Sequence, residues 1–74
     1  MSPLRWTAQR MDQLEHAART GRRVALMRRG TEFIVVALKV TSEGRREVLV
    51  GRLPMTGEEL TFALDEIDAM QVLE

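Results

Sequence analysis

The fold is decided by residues 22–53, RRVALMRRGTEFIVVALKVTSEGRREVLVGRL. The period changes to two after Gly21, which predicts a strand with Val24, Leu26 and Arg28 on one face and Arg23, Ala25, Met27 and Arg29 on the other. Phe33–Val40 is almost continuously apolar, which indicates a strand that is covered on both faces or bends between two sheets. Turn residues at Gly30-Thr31 and Ser42–Arg45 separate these strands from a third over Glu47–Leu53. The stretch therefore predicts three consecutive strands joined by tight turns.

The chain before this stretch is predicted to be an amphipathic helix over residues 2–20. Ser2 suits the N-cap, and Pro3 suits the first helical position. Apolar side chains then recur at intervals of three and four residues, which gives the helix one packing face. Gly21 suits the left-handed position beyond the helix end.

The chain after this stretch has the pattern of two more strands. Pro54 and Gly57 bound a loop, and Leu60–Leu64 then alternates as a fourth strand. Asp65–Asp68 is a short break with room for one turn of 3₁₀ helix, and Ala69–Leu73 is a short fifth strand. One helix followed by short strands at this spacing predicts a mainly β fold.

We expect a single domain over residues 1–74: a small five-stranded β-barrel over residues 22–73, capped by the N-terminal helix. A sheet this small must close on itself or be capped, because its edges would otherwise stay exposed. The core is expected to contain Leu14, Val24, Leu26, Phe33, Val35, Leu38, Leu49, Phe62, Leu64, Ile67 and Val72.

Length and composition exclude several kinds of site and of membrane segment from this chain. The 74 residues include no Cys, which excludes disulfides and thiolate metal sites. No apolar run approaches the ~20 residues that span a bilayer, and residues 1–6 do not resemble a signal peptide. We therefore expect a cytoplasmic chain with no membrane partner.

The charges are separated along the chain. Residues 1–52 hold all 11 basic residues and five acidic ones, a net charge of +6. Residues 53–74 hold six acidic residues and no basic one, a net charge of −6. Such separation predicts either a polar molecule or a basic face covered by an acidic one. The covering contact could form within one chain or between copies, as a head-to-tail homo-oligomer.

Three pairs of arginines are the strongest chemical signal, and their members are the candidate nucleic-acid contacts: Arg22, Arg23, Arg28, Arg29, Arg45 and Arg46. If they converge, their guanidinium groups would bind the phosphate backbone of RNA or DNA. The alternatives are charged strand ends that prevent aggregation, or contacts to an acidic protein partner. Aromatic residues make up only 4% of the chain, so a base-stacking platform of several rings is excluded.

Trp6 is the candidate partner-binding residue, and its role depends on where the helix begins. A helix that begins at Pro3 places Trp6 off the apolar stripe, as an exposed anchor for a partner. A helix that begins near Thr7 makes Trp6 an N-terminal staple that folds back onto the core. Both alternatives stay open at this point.

No pattern of residues indicates an enzyme, a cofactor or a metal site. His16 is the only histidine, and Ser2 and Ser42 are the only serines and suit a helix cap and a turn. The chain has no P-loop and no dinucleotide fingerprint. The spacing of its acidic residues does not match a Ca²⁺ loop, so we expect them to be solvated or paired with the arginines.

Three segments carry a resemblance to known families: residues 21–40 (GRRVALMRRGTEFIVVALKV), 46–54 (REVLVGRLP) and 60–73 (LTFALDEIDAMQVL). Together with the helix they resemble the Sm-like/SH3-like small-barrel superfold. The bacterial Rho-inhibiting Sm-like family is similar in its order of helix and barrel and in its closing segment. The WYL ligand-sensing domain is similar over Ala17–Leu26 and Thr61–Leu73, although only Leu49 matches its Trp-Tyr-Leu signature.

Two functional hypotheses follow. The resemblance and the arginine pairs favour a non-catalytic regulatory module that is associated with nucleic acid. The alternative is a protein-interaction module that self-assembles, or that docks a partner on the helix or at a strand edge. The two hypotheses differ in whether the arginines converge or are neutralised by the acidic third of the chain.

Overall fold

The computed structural model describes residues 4–73 as one α-helix and five strands. The sheet has the strand order β4-β3-β2-β1-β5, and all neighbouring strands are antiparallel. The elements are α1 (Ala8–Thr20), β1 (Arg23–Arg28), β2 (Thr31–Glu43), β3 (Arg46–Arg52), β4 (Glu59–Ala63), a 3₁₀ turn (Leu64–Glu66) and β5 (Ile67–Val72).

The helix begins later than the sequence pattern predicts. Thr7 is its N-cap, and the Thr7 Oγ1 atom accepts a hydrogen bond from the Arg10 backbone N–H at 3.2 Å. Leu4 instead donates its backbone N–H to the Ile67 carbonyl at 3.0 Å, which fastens this segment to β5. The prediction was therefore wrong for residues 4–7, and the predicted Ser2-Pro3 start lies outside the described residues. The predicted end was right, because Gly21 takes the left-handed conformation at φ 69°.

The core lies between the helix and one face of the sheet. Leu14 and Ala17 are the fully buried residues of the helix. Of the predicted core, Phe33 and Val72 are partly buried against it, and eight residues are fully buried: Leu14, Val24, Leu26, Val35, Leu49, Phe62, Leu64 and Ile67.

Leu38 was wrongly placed in the core. It is only half-buried, and Ala37 is fully buried beside Val35. Strict alternation from Phe33 and Val35 turns Ala37 inwards and Leu38 to the other face, so the prediction of Leu38 broke the period of two. The register of β2 against β3 then shifts between Ala37 and Lys39, and beyond this bulge Val40 packs against the core.

Gly51 leaves room for the Val35 side chain on the core face of β3. A Cβ atom at Gly51 would come within 2.7 Å of Val35 Cγ2 and 2.9 Å of Val35 Cβ, which is closer than real Cβ contacts allow. Val35 is itself fully buried and cannot swing away. Four consecutive residues of β3, from Val48 to Gly51, are buried, so this strand is covered on both faces.

The mainly β fold with an N-terminal helix was predicted correctly, but the predicted barrel does not close. Strands β4 and β5 are the two edges of the sheet, and they do not pair with each other within residues 4–73. The 3₁₀ turn Leu64–Glu66 joins them, whereas a two-residue turn would hold two strands in a hairpin. The sheet curls instead, which brings the Phe62 ring edge-on to Phe33 with 5.2 Å between centroids.

We predict that Gly51→Ala lowers the free energy of unfolding by about 1–3 kcal/mol, because the added methyl group overlaps Val35. Urea unfolding of Gly51→Ala, Val35→Ala and the double variant measures this effect. Val35→Ala removes the Cγ2 atom, which is the nearer of the two atoms that the new methyl group would meet, and keeps the Cβ atom at 2.9 Å. Gly51→Ala should therefore cost clearly less in that background. Equal costs in both backgrounds would contradict the proposed overlap.

Candidate binding surfaces

The six candidate arginines do not converge on one surface. Arg22 and Arg23 lie at the start of β1, and Arg28 and Arg29 lie at its far end. A six-residue strand separates these ends by about 17 Å. Arg46 lies at the end where Arg29 lies, because both side chains reach Glu66.

Two of the six arginines are paired with the acidic third of the chain. Arg46 Nη2 lies 2.6 Å from Asp65 Oδ1 and 3.3 Å from Glu66 Oε2. Arg29 Nη2 lies 3.0 Å from Glu66 Oε2, and the Arg29 backbone N–H donates to Asp68 Oδ2 at 3.1 Å. The hydrogen bonds to Asp65 and Glu66 favour the charged guanidinium and raise the pKa of Arg46 above its ordinary value. These exposed pairs add little stability, but they neutralise the basic groups locally.

Arg28 has a packing role. Its guanidinium carbon lies 5.1 Å from the Phe33 ring centroid and 4.8 Å from that of Phe62. The side chain is half-buried and lies against both rings. A cation over two aromatic faces is a stabilising arrangement. Arg28 is therefore held against the core.

The position of Trp6 agrees with a helix that begins after Thr7. It is half-buried and packs against the core, and its indole N–H donates to the Leu64 carbonyl at 2.7 Å. This bond ties the segment before the helix to the 3₁₀ turn. The structure thus places Trp6 as a staple, and its role in binding a partner stays a prediction.

The opposite end of the sheet carries basic side chains that form no ion pair within residues 4–73. Arg23 and Arg52 flank Val36 in the register of β1, β2 and β3. Arg22 precedes Arg23, and Arg19 lies in the last turn of the helix. All four arginines are exposed. Arg52 and Arg19 were not among the candidate contacts, since neither belongs to a pair of adjacent arginines.

The open sheet leaves an edge of β4 uncovered. Leu53 donates its backbone N–H to the Glu58 carbonyl at 2.8 Å. Because hydrogen-bonded pairs alternate along antiparallel strands, Leu60 and Phe62 also point their backbone groups towards β3. Glu59 and Thr61 point theirs away from the sheet, where no hydrogen bond from residues 4–73 reaches them.

A groove on the sheet face away from the core holds the exposed large apolar side chains. Ile34 is 45% exposed and Met55 is 97% exposed, and no other large apolar side chain of residues 4–73 is exposed. Both line a groove of about 490 Å³, together with Leu53, Pro54, Thr56 and Arg23. The exposure of Ile34 was not predicted, because the apolar run of β2 indicated a strand that could be covered on both faces.

The remaining chemical features of residues 4–73 are the histidine, the groups of side chains that could bind a metal ion, and the helix. His16 is exposed on the helix. Within residues 4–73, no cluster of three or more His, Asp or Glu side chains could hold a metal ion. No helix in this part of the chain has the length and apolar character to cross a membrane.

No protein-family model, no curated protein and no solved structure matches this chain.

We predict that Arg28→Ala lowers the free energy of unfolding by about 1–2 kcal/mol, because it uncovers the Phe33 and Phe62 rings. Arg29→Ala is the matched control, since it removes only an exposed ion pair and should cost at most about 0.5 kcal/mol. Thermal and urea unfolding of both variants measures the difference. Equal losses would show that Arg28 does not support the core.

Proposed function

We propose that this chain is a small non-catalytic protein-interaction module that binds an extended segment of a partner along β4. The observation that carries this proposal is the open sheet edge. Glu59 and Thr61 direct backbone donors and acceptors outwards, and no described residue pairs with them. A partner strand would satisfy these groups by extending the sheet, which is a common mode of peptide recognition.

The β4 edge is the better of the two edges for this role. On β5, the Ile67 carbonyl already accepts the Leu4 backbone N–H. Glu58 and Glu59 give the start of β4 a negative charge, which favours a strand with basic residues. Both edges come from residues 53–74, which hold no Lys or Arg. Joining β4 of one copy to β5 of another would therefore bring acidic strands together, so a segment of another protein is the favoured occupant.

We also propose that the fold is of the Sm-like/SH3-like type and that the module is regulatory. The order of one helix and five antiparallel strands supports the fold proposal. The sequence resemblance supports both parts. This assignment does not by itself identify the partner, because one fold carries many functions.

Peptides selected against the protein from a random library test the strand-addition proposal. We expect Thr61→Pro to weaken their binding at least about tenfold, since proline removes an N–H that points away from β3. Thr61→Ala keeps that N–H and should bind like the wild type. Binding should also slow amide hydrogen exchange at Glu59 and Thr61. The proposal fails if no peptide is selected, or if Thr61→Pro binds as well as Thr61→Ala.

Nucleic-acid binding is the second candidate function, and the unpaired basic end of the sheet favours it. Of the six predicted contacts, Arg22 and Arg23 lie there beside Arg52 and Arg19, exposed and without an ion pair in residues 4–73. Phosphate contacts by a few arginines give weak binding that depends strongly on salt. Arg29 and Arg46 are less suited to this role, because carboxylates already occupy their guanidinium groups.

Fluorescence anisotropy with labelled single-stranded RNA and duplex DNA tests this second candidate. Affinity should fall on the order of a hundredfold between about 50 and about 200 mM salt. Arg22→Ala/Arg23→Ala should abolish most of the binding, whereas Arg29→Ala/Arg46→Ala removes the same number of arginines and should have a smaller effect. Absence of binding at low salt would eliminate this candidate.

A further inference from the structure

The free edge of β5 is covered at its start only. The Leu4 backbone N–H donates to the Ile67 carbonyl at 3.0 Å, so the segment before the helix occupies the edge there. Beyond this bond the strand continues to Val72, and within residues 4–73 no strand pairs with it on this side. The open part of the edge is therefore the end of β5, which lies at the basic end of the sheet.

Two residues of this open part direct their backbone groups outwards. Leu73 donates its backbone N–H to the Arg23 carbonyl at 2.8 Å, so these two residues are a hydrogen-bonded pair. Such pairs alternate with non-hydrogen-bonded pairs along antiparallel strands, and Met70 and Val72 therefore point their N–H and C=O groups away from β1. No hydrogen bond from residues 4–73 reaches these groups. An extended segment of another chain can pair with them.

A groove of about 460 Å³ lies along this open edge, between β5 and the helix. Met70 and Val72 are half-buried and pack against the core, so part of the groove is apolar. The helix contributes the exposed side chains of Gln13 and His16. An extended segment in the groove would meet backbone hydrogen bonds on one side and a polar helix face on the other. The residues that line the groove are Gln13, His16, Arg22, Met70, Gln71 and Val72.

The groove carries a positive charge. Arg22 lines it and is exposed, and its side chain forms no ion pair within residues 4–73. No acidic side chain of that part of the chain lines the groove. The β4 edge differs in this respect, because Glu58 and Glu59 lie at its start. An exposed guanidinium with no carboxylate beside it favours a partner that brings one.

We propose that this groove binds an extended segment of another protein that carries a carboxylate side chain. The segment extends the sheet beside Met70 and Val72, and its carboxylate accepts hydrogen bonds from the Arg22 guanidinium. Arg22 precedes β1, and the start of β1 lies beside the end of β5. The carboxylate therefore belongs to the end of the segment that lies beside Val72.

The observations favour such a segment over two other occupants. The open edge spans only Met70–Val72, whereas β4 of a second copy is five residues long and would need more of the edge than is open. Nucleic acid has no peptide groups that could pair with the outward backbone of β5. The site is also separate from the one proposed on β4, since the two lie on opposite edges and favour segments of opposite charge.

Peptides selected against the full chain from two random libraries, one with a fixed glutamate and one with a fixed lysine, test the proposal. Glutamate peptides should slow amide hydrogen exchange at Met70 and Val72 at least about tenfold, because they accept hydrogen bonds from these N–H groups. Exchange at Glu59 and Thr61 should stay unchanged. Lysine peptides report on the β4 edge separately, so each site can fail without the other. A glutamate library that yields no binder, or binders that protect Glu59 and Thr61 instead, would overturn the proposal.

Charge reversal tests the contact with Arg22. Arg22→Glu should weaken binding of a selected glutamate peptide at least about tenfold. Arg19→Glu is the matched control, because it makes the same change of charge at an exposed residue that does not line the groove. The same peptide with lysine in place of glutamate should bind Arg22→Glu better than it binds the wild type. Equal losses in the two variants would contradict the proposed contact.

Proline substitution tests the backbone pairing. Val72→Pro removes an N–H that points away from β1 and should weaken peptide binding at least about tenfold. Val72→Ala keeps that N–H, controls for loss of the valine side chain and should bind like the wild type. Sedimentation of the wild type supplies a further check. Self-association that both Val72→Pro and Thr61→Pro abolish would assign this edge to β4 of a second copy and overturn the proposal.

Discussion

The packing of the Val35 side chain against the backbone of Gly51 is the constraint on which the rest of the structure depends. Gly51 has no side chain on the core face, so Val35 packs directly over the Gly51 backbone. The curled sheet then brings Phe62 of β4 against Phe33 of β2. A chain of 74 residues has little surface to bury, and curling gathers its apolar side chains into one core that the helix covers.

The curl of the sheet also determines which basic side chains lie beside acidic ones. It brings the 3₁₀ turn and the start of β5 beside the ends of β1 and β3, where Arg29 and Arg46 meet Asp65 and Glu66. The acidic third of the chain therefore neutralises basic groups at one end only. The other end keeps Arg22, Arg23 and Arg52 exposed and without an ion pair in residues 4–73.

Three features remain available to partners: the β4 edge, the basic end, and the outer face around Ile34 and Met55. They differ in chemistry, since the first offers backbone hydrogen bonds, the second offers guanidinium groups and the third offers apolar area. Each can be removed by substitutions that leave the core in place.

The sequence by itself determined the order of helix and strands, the end of the helix at Gly21, and most of the core, because these depend on local propensity and on periods of 3.6 and two residues. Only the tertiary structure decided that the register of β2 against β3 shifts between Ala37 and Lys39, that the sheet stays open, and that Arg28 lies over Phe33 and Phe62. It also decided which arginines meet carboxylates. These outcomes depend on contacts between residues far apart in the chain, and no local pattern records such contacts.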